Sequence, residues 1–297
     1  MDNKKERYEK LVKKIHNCNC CKSIKKPIFC EDGVCLINMP NECKSRIKHV
    51  NMWNYWQGSL DAKIMVIGQD YGCFPRIESN DGNITGKTKK HNLEEYIRGE
   101  VFNKRLSSED DIEENYMELR KIWSTTDVNL FYLFKKVLGY DLTKVNENLF
   151  FTNMVCCYRN IGNATSGADK FCSEWLSLCA NKYMGELIDI IQPKVIITLG
   201  EKTFNAMTCI DGVELKCIDS VSLDKGEKVK FVDVIEHNYE LVCGVDKSIR
   251  VFPVYHPGAN SNINRKLKEI DANKKGQSQE SDWWKIKRYI DENSINS

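Results

Sequence analysis

Residues 62–68 read Ala-Lys-Ile-Met-Val-Ile-Gly and run into Gln69-Asp70-Tyr71-Gly72. The stretch is short, apolar and closed by a turn signal, as expected of a strand buried on both faces of a parallel sheet. Three more segments share its character: Leu149–Val155 (LFFTNMV), Lys194–Leu199 (KVIITL) and Arg250–Tyr255 (RVFPVY). Helical patterns lie between them. Val128–Leu138 carries apolar residues at helical spacing. Phe171–Ile191 holds one long helix or two, stopped by Gln192-Pro193, and Glu201–Thr208 starts a helix after the Gly200 turn. Strands alternating with helices predict an α/β fold: a three-layer α/β/α sandwich around a central, mostly parallel, four-stranded sheet.

Outward from these strands, residues 1–297 read as one domain with additions. A cysteine-rich segment spans about 15–45. Polar inserts span about 77–126, with helical pieces such as Asp110–Ile122, and about 211–245, which is strand-rich. The polar tail has a helix near Trp283–Ile290. No apolar run approaches the roughly 20 residues of a membrane helix. The stretch Met1–Lys14 is charged and amphipathic with no apolar signal core, so a cytoplasmic protein is expected. Net charge is only +2, so any nucleic-acid footprint must be local. Of the 14 cysteines, Cys209, Cys217 and Cys243 read as small buried apolar residues. Closely spaced ones, such as Cys18 and Cys21, read better as metal or cluster ligands.

In an open parallel sheet, ligands bind beyond the carboxyl ends of the strands. Asp70 follows the first strand, Asn153 lies near the end of the second, Gly200 ends the third, and His256-Pro257-Gly258 ends the fourth. Singly, each has a structural reading: a capping Asp, an edge Asn, a His-Pro turn. Together, a carboxylate, an amide and an imidazole at one sheet edge suit hydrolysis of an N-glycosidic bond. The carboxylate stabilises an oxocarbenium-like sugar and orients water. The imidazole donates to the base oxygen that gains charge, and the amide reads the edge of a flipped base. A nucleotide-binding protein fits poorly, because the first turn puts an acid where phosphates need amides and a Lys.

These residues resemble the uracil-DNA glycosylase superfamily. Gly68-Gln69-Asp70 is similar to its first motif, and His256-Pro257-Gly258-Ala259-Asn260-Ser261 to its last, His-Pro-Ser. Asp61–Gly68, Phe151–Cys157 and Gln192–Gly200 resemble its iron–sulfur branch. The likeness covers the core strands, about half the chain, and neither insert. It implies a monofunctional DNA glycosylase acting in base excision and DNA repair, with DNA as partner and a monomeric state. Asp70 and His256 would be catalytic. Asn153 and the main chain of Gln69 would touch the base, and the loop Gly258, Ala259, Asn260, Ser261, Asn262 would press on the minor groove. Arg159, Lys202, Arg265 and Lys266, each near a motif loop, are candidate phosphate contacts. A catalytically inactive DNA-binding member of the same fold is the alternative.

The same branch implies a [4Fe–4S] cluster held by Cys18, Cys21, Cys157 and Cys179, with Cys172 the other choice for the fourth ligand. Zinc on Cys21, Cys30, Cys35 and Cys43 is the rival. The chain also departs from the family. Gly72 stands where one branch crowds carbon 5 of the base with Tyr, Tyr71 stands where Pro is usual, and the Gly-x-Pro-Phe stacking segment is missing. Phe74 is a candidate replacement for its Phe, and Asn260, Asn262 or Ile263 for the wedge Leu. The target is then uracil or a C5-modified cytosine, such as glucosylated hydroxymethylcytosine of phage DNA, which would make the protein an antiphage defence enzyme.

Overall fold

The computed structural model describes residues 4–16, 18, 59–70, 83–84, 91–92, 125–140, 142, 147–156, 173–219, 229–244, 247–258, 265–267 and 278–295. Helix α1 (Lys4–His16) presents Tyr8, Leu11, Val12 and Ile15, spaced by three and four residues, to the core. Its polar side is tied down by Lys4 to Asp61 (2.8 Å), Arg7 to Asp189 (2.6 Å) and Lys14 to Glu186 (2.8 Å).

Strand β1 (Ile64–Asp70) follows, then a two-stranded antiparallel ribbon of β2 (Asn83–Ile84) and β3 (His91–Asn92). The helical piece expected at Asp110–Ile122 lies outside the described residues. Helix α2 (Thr125–Leu133) runs into a wider π turn, Phe134–Leu138, and stops at Gly139 with φ 79°. Strand β4 (Leu149–Val155) leads to α3 (Ser173–Cys179), a π turn (Ala180–Met184) and α4 (Gly185–Ile191). The predicted one-or-two-helix segment is therefore one rod with a widened middle turn. It ends at Gln192, φ 53°, because the residue before a proline is kept out of the helical region.

Strand β5 (Val195–Leu199), α5 (Glu201–Ala206), β6 (Glu214–Cys217), α6 (Phe231–Glu236), β7 (Tyr239–Val242), β8 (Ser248–Val254) and α7 (Gln279–Glu292) complete the fold. Helix α7 begins four residues before its expected start because Ser278 and Ser281 form a reciprocal cap.

The sheet order is β4-β1-β5-β8-β7-β6. The four expected strands form its parallel part. The sheet is wider than four strands because the 211–245 excursion adds β7 and β6 antiparallel to it. Both faces of the parallel part are covered. Met65, Ile67, Phe150 and Ile196 pack under α1, α3, α4 and α5, while Ile64, Val66, Phe151 and Ile197 pack under α2 and α7. This is the three-layer α/β/α sandwich, and its double burial explains the continuous apolar runs.

Connections leaving β1 and β4 go to opposite faces, so β1 lies at the topological switch point, where open α/β sheets bind ligands.

Candidate active site

Strand β1 reaches two residues beyond its expected end at Gly68. Gly68 pairs with Asn153 and Asp70 with Val155, so Gln69 and Asp70 belong to the strand and not to a turn after it. Side chains alternate along a strand. Ile64 and Val66 face α2, and Phe151 of β4 does too. By the same alternation Gly68, Asp70 and Asn153 share that face at the carboxyl edge. The chain leaving β8 brings His256 to the same edge.

Asn153 is 3% exposed. Its carboxamide lies across Gly68, with Oδ1 at 2.1 Å from where a β-carbon on Gly68 would stand. Glycine is required there by close approach, with no special backbone angle involved. The Nδ2 group of Asn153 is buried and has no hydrogen-bond partner among the described residues. A buried donor without a partner costs about 1–3 kcal/mol, so this one is available to a ligand's acceptor. Next to it, Gln69 Nε2 donates to Asp70 Oδ1 at 3.0 Å.

His256 is held from three sides. Gly258 N donates to His256 Nδ1 at 3.1 Å. Gly200, at φ 94°, leaves room for the imidazole's Cβ, which stands 3.4 Å from where a Gly200 β-carbon would be. The buried Asn129 of α2 donates from Nδ2 to the carbonyl of Pro257 at 2.6 Å. Burial holds the His256 pKa below the ordinary imidazole value, against the opposing pull of the Asp70 carboxylate. The ring is therefore neutral near pH 7. Because Nδ1 accepts, its proton sits on Nε2, where it can be donated.

The departure from Ser to Gly at position 258 has a packing reason. A β-carbon there would stand 2.9 Å from His256 Nδ1 and 3.2 Å from Thr126 Oγ1. Neither Asn129 nor Thr126 figures in the sequence reading. The only signal for Asn129 is a polar residue inside an apolar helical run, which by itself names no partner.

Tyr71, Gly72 and Phe74, Ala259, Asn260, Ser261, Asn262 and Ile263, and Arg159 lie outside the described residues. Lys202 and Lys266 are exposed. Arg265 is not an exposed phosphate contact. It is buried, and Asp282 grips it with two hydrogen bonds of 2.7 and 2.5 Å.

Of the expected cluster ligands, Cys18 and Cys179 are described, and Cys21, Cys157 and Cys172 are not. Cys18 follows α1 and packs against the apolar layer that contains Cys156 and the buried Cys179. It lies close enough to Cys156 that, after burial, its charge is what pushes the Cys156 thiol up, to about 12. Thus the N-terminal segment meets the carboxyl end of β4, one residue before Cys157. This fits a group bound by thiolates there. The proposed zinc set includes only residues outside the described ones. Cys209, Cys217 and Cys243 are half-buried, not buried: Cys209 ends a short helical turn, Cys217 ends the edge strand β6, and Cys243 follows β7.

A model of the uracil DNA glycosylase superfamily matches residues 55–285. The type-4 uracil-DNA glycosylase of Sulfurisphaera tokodaii is 30% identical over 145 residues. That match covers 48% of this chain and 54% of the relative, about half of each. With the switch-point sheet, the motif order and a family match spanning most of its length, the chain belongs to the uracil DNA glycosylase superfamily.

Proposed function

We propose that this protein is a DNA glycosylase that hydrolyses the N-glycosidic bond of a flipped pyrimidine and leaves an abasic site. The observation that carries this reading is His256, its Nδ1 accepting from Gly258 N so that Nε2 is left to donate, at the same sheet edge as Asp70 at the switch point. As the bond breaks, charge grows on the base oxygen and Nε2–H donates to it. Asp70, oriented by Gln69, stabilises the cationic sugar and aligns water for attack. The unpartnered Asn153 Nδ2 pairs with an acceptor on the base edge.

This donor suits the oxygen at carbon 4 of uracil, the base named for the relative. A second reading, a C5-modified cytosine in phage DNA, is favoured by Gly72, which leaves room where a side chain would crowd carbon 5. Incubating the full-length protein with DNA containing each base, then cleaving with alkali, separates them. Breakage only at uracil supports the first, and breakage only at the modified cytosine the second. An intact strand from every substrate the protein binds leaves the inactive DNA-binding alternative.

We also propose a [4Fe–4S] cluster on Cys18, Cys21, Cys157 and Cys179. Bound there, it would tether α1 to β4 and α3 and take no part in the steps above. Iron and sulfide analysis of protein purified without oxygen tests it: about four irons per chain are expected, and iron-free protein with intact activity would refute it.

A further inference from the structure

Three potential metal donors of different chemistry meet at the sheet's outer edge. Cys217 ends β6, Asp219 lies two residues on, and His237 closes α6 just before β7. One ligand atom from each falls within 4.8 Å of the other two. His237 Nδ1 is 3.2 Å from Asp219 Oδ2, and all three residues are half-buried.

We propose that Cys217, Asp219 and His237 bind a structural zinc ion, separate from the site at His256. A tetrahedral zinc with bonds of about 2.0–2.3 Å keeps its donors roughly 3.3–3.8 Å apart, so the trio needs to close by only about 1 Å. Mixed sulfur, nitrogen and oxygen donors suit zinc better than calcium or magnesium, which take oxygen.

The surroundings are those of a prepared ligand set. Asn238 pins the Asp219 carboxylate through both oxygens, from its backbone N (2.8 Å) and its Nδ2 (2.8 Å). Arg250 of β8 in turn donates to Asn238 Oδ1. Outer hydrogen bonds of this kind orient metal-binding carboxylates. The buried Tyr239 hydroxyl has no hydrogen-bond partner among the described residues. Tyr239 stands directly opposite Cys217 in the β6–β7 register. A zinc-bound water in the fourth position would find a partner in that hydroxyl.

The three donors bracket residues 220–236, so an ion here would join the chain just after β6 to the chain just before β7. It also holds the end of α6, whose Phe231 packs edge-on against Tyr255 at 5.1 Å, next to His256.

The test is metal analysis of the full-length protein, purified in zinc-containing buffer and then dialysed. About one zinc per chain is expected. Cys217→Ser and His237→Gln should each lower it at least about tenfold with iron unchanged. Zinc chloride added to metal-depleted protein should raise the wild-type thermal midpoint but not that of Cys217→Ser. Wild-type protein without zinc, or zinc retained in both variants, would overturn the proposal and leave a hydrogen-bond knot alone. Circular dichroism identifies a variant that fails to fold, and the wild-type zinc titration decides the matter without any variant.

Discussion

The Asn153 carboxamide lies across Gly68, its Oδ1 2.1 Å from where a β-carbon would stand. Two neighbouring parallel strands therefore build the proposed base-reading group together: β4 supplies the amide and β1 supplies the space. Gly68→Ala should displace the amide and act like Asn153→Ala. Each should lower kcat/KM for base release by about 10–100-fold, the value of one buried hydrogen bond. The double variant should lose no more than either single one. Additive losses would show that Gly68 does not act through Asn153.

Asp70→Asn and His256→Ala should leave the fold and DNA binding intact and reduce abasic-site formation. About 10²–10³-fold is expected for losing the donor at 256, and at least about 10²-fold for the carboxylate. Alkali cleavage of a labelled oligonucleotide measures both. Full activity in Asp70→Asn would exclude the proposed role.

The neutral His256 makes a pH prediction. Its folded pKa lies below the ordinary imidazole value, so the working form persists as pH falls through about 6.5 and is lost only at lower pH. Below about 6.5 the unfolded chain takes up the proton first, so stability also falls until the folded imidazole titrates. The NMR titration midpoint of His256 should therefore lie under 6.5 and drop further in Asp70→Asn, which removes the opposing charge. A midpoint at or above the ordinary value would contradict this.

Asn129 acts through Pro257. Asn129→Leu removes the donor to the Pro257 carbonyl and should cost about 1–3 kcal/mol of stability. If it positions His256, kcat should fall more than KM rises, and no further loss should appear on a His256→Ala background. Equal losses on both backgrounds would assign Asn129 to stability alone.

Much of the site was legible because strand ends in parallel sheets are short and apolar up to the first polar residue. Asp70 and His256 stand close to such breaks, whereas Asn153 lies inside β4, two residues before its end. The end of β1 is not legible, because Gln69 and Asp70 look like turn residues and only the pairing of Gly68 and Asp70 with β4 keeps this stretch extended. Asn129 and Asp282 were not legible as partners, since each acts on a segment far away in sequence. Arg265 looked like a phosphate contact because a basic residue near a motif loop shows its charge but not its burial. The antiparallel strands β6 and β7 are legible as a strand-rich stretch, but its mixed composition conceals α6 and the meeting of Cys217 with His237.

The buried Arg265–Asp282 pair joins the segment after the His256 loop to α7. Asp282→Ala leaves a buried guanidinium without its main partner and should cost about 3–5 kcal/mol. Urea denaturation measures it. A change within error would mean that Glu236, 3.5 Å from Arg265, carries the charge instead.

The most direct test of the glycosylase reading is mass spectrometry of what the protein releases from DNA containing uracil or glucosylated hydroxymethylcytosine. The account predicts a free pyrimidine base, one abasic site for each base released, and neither product from Asp70→Asn. Bound DNA that yields no free base, or equal release by Asp70→Asn, would contradict it.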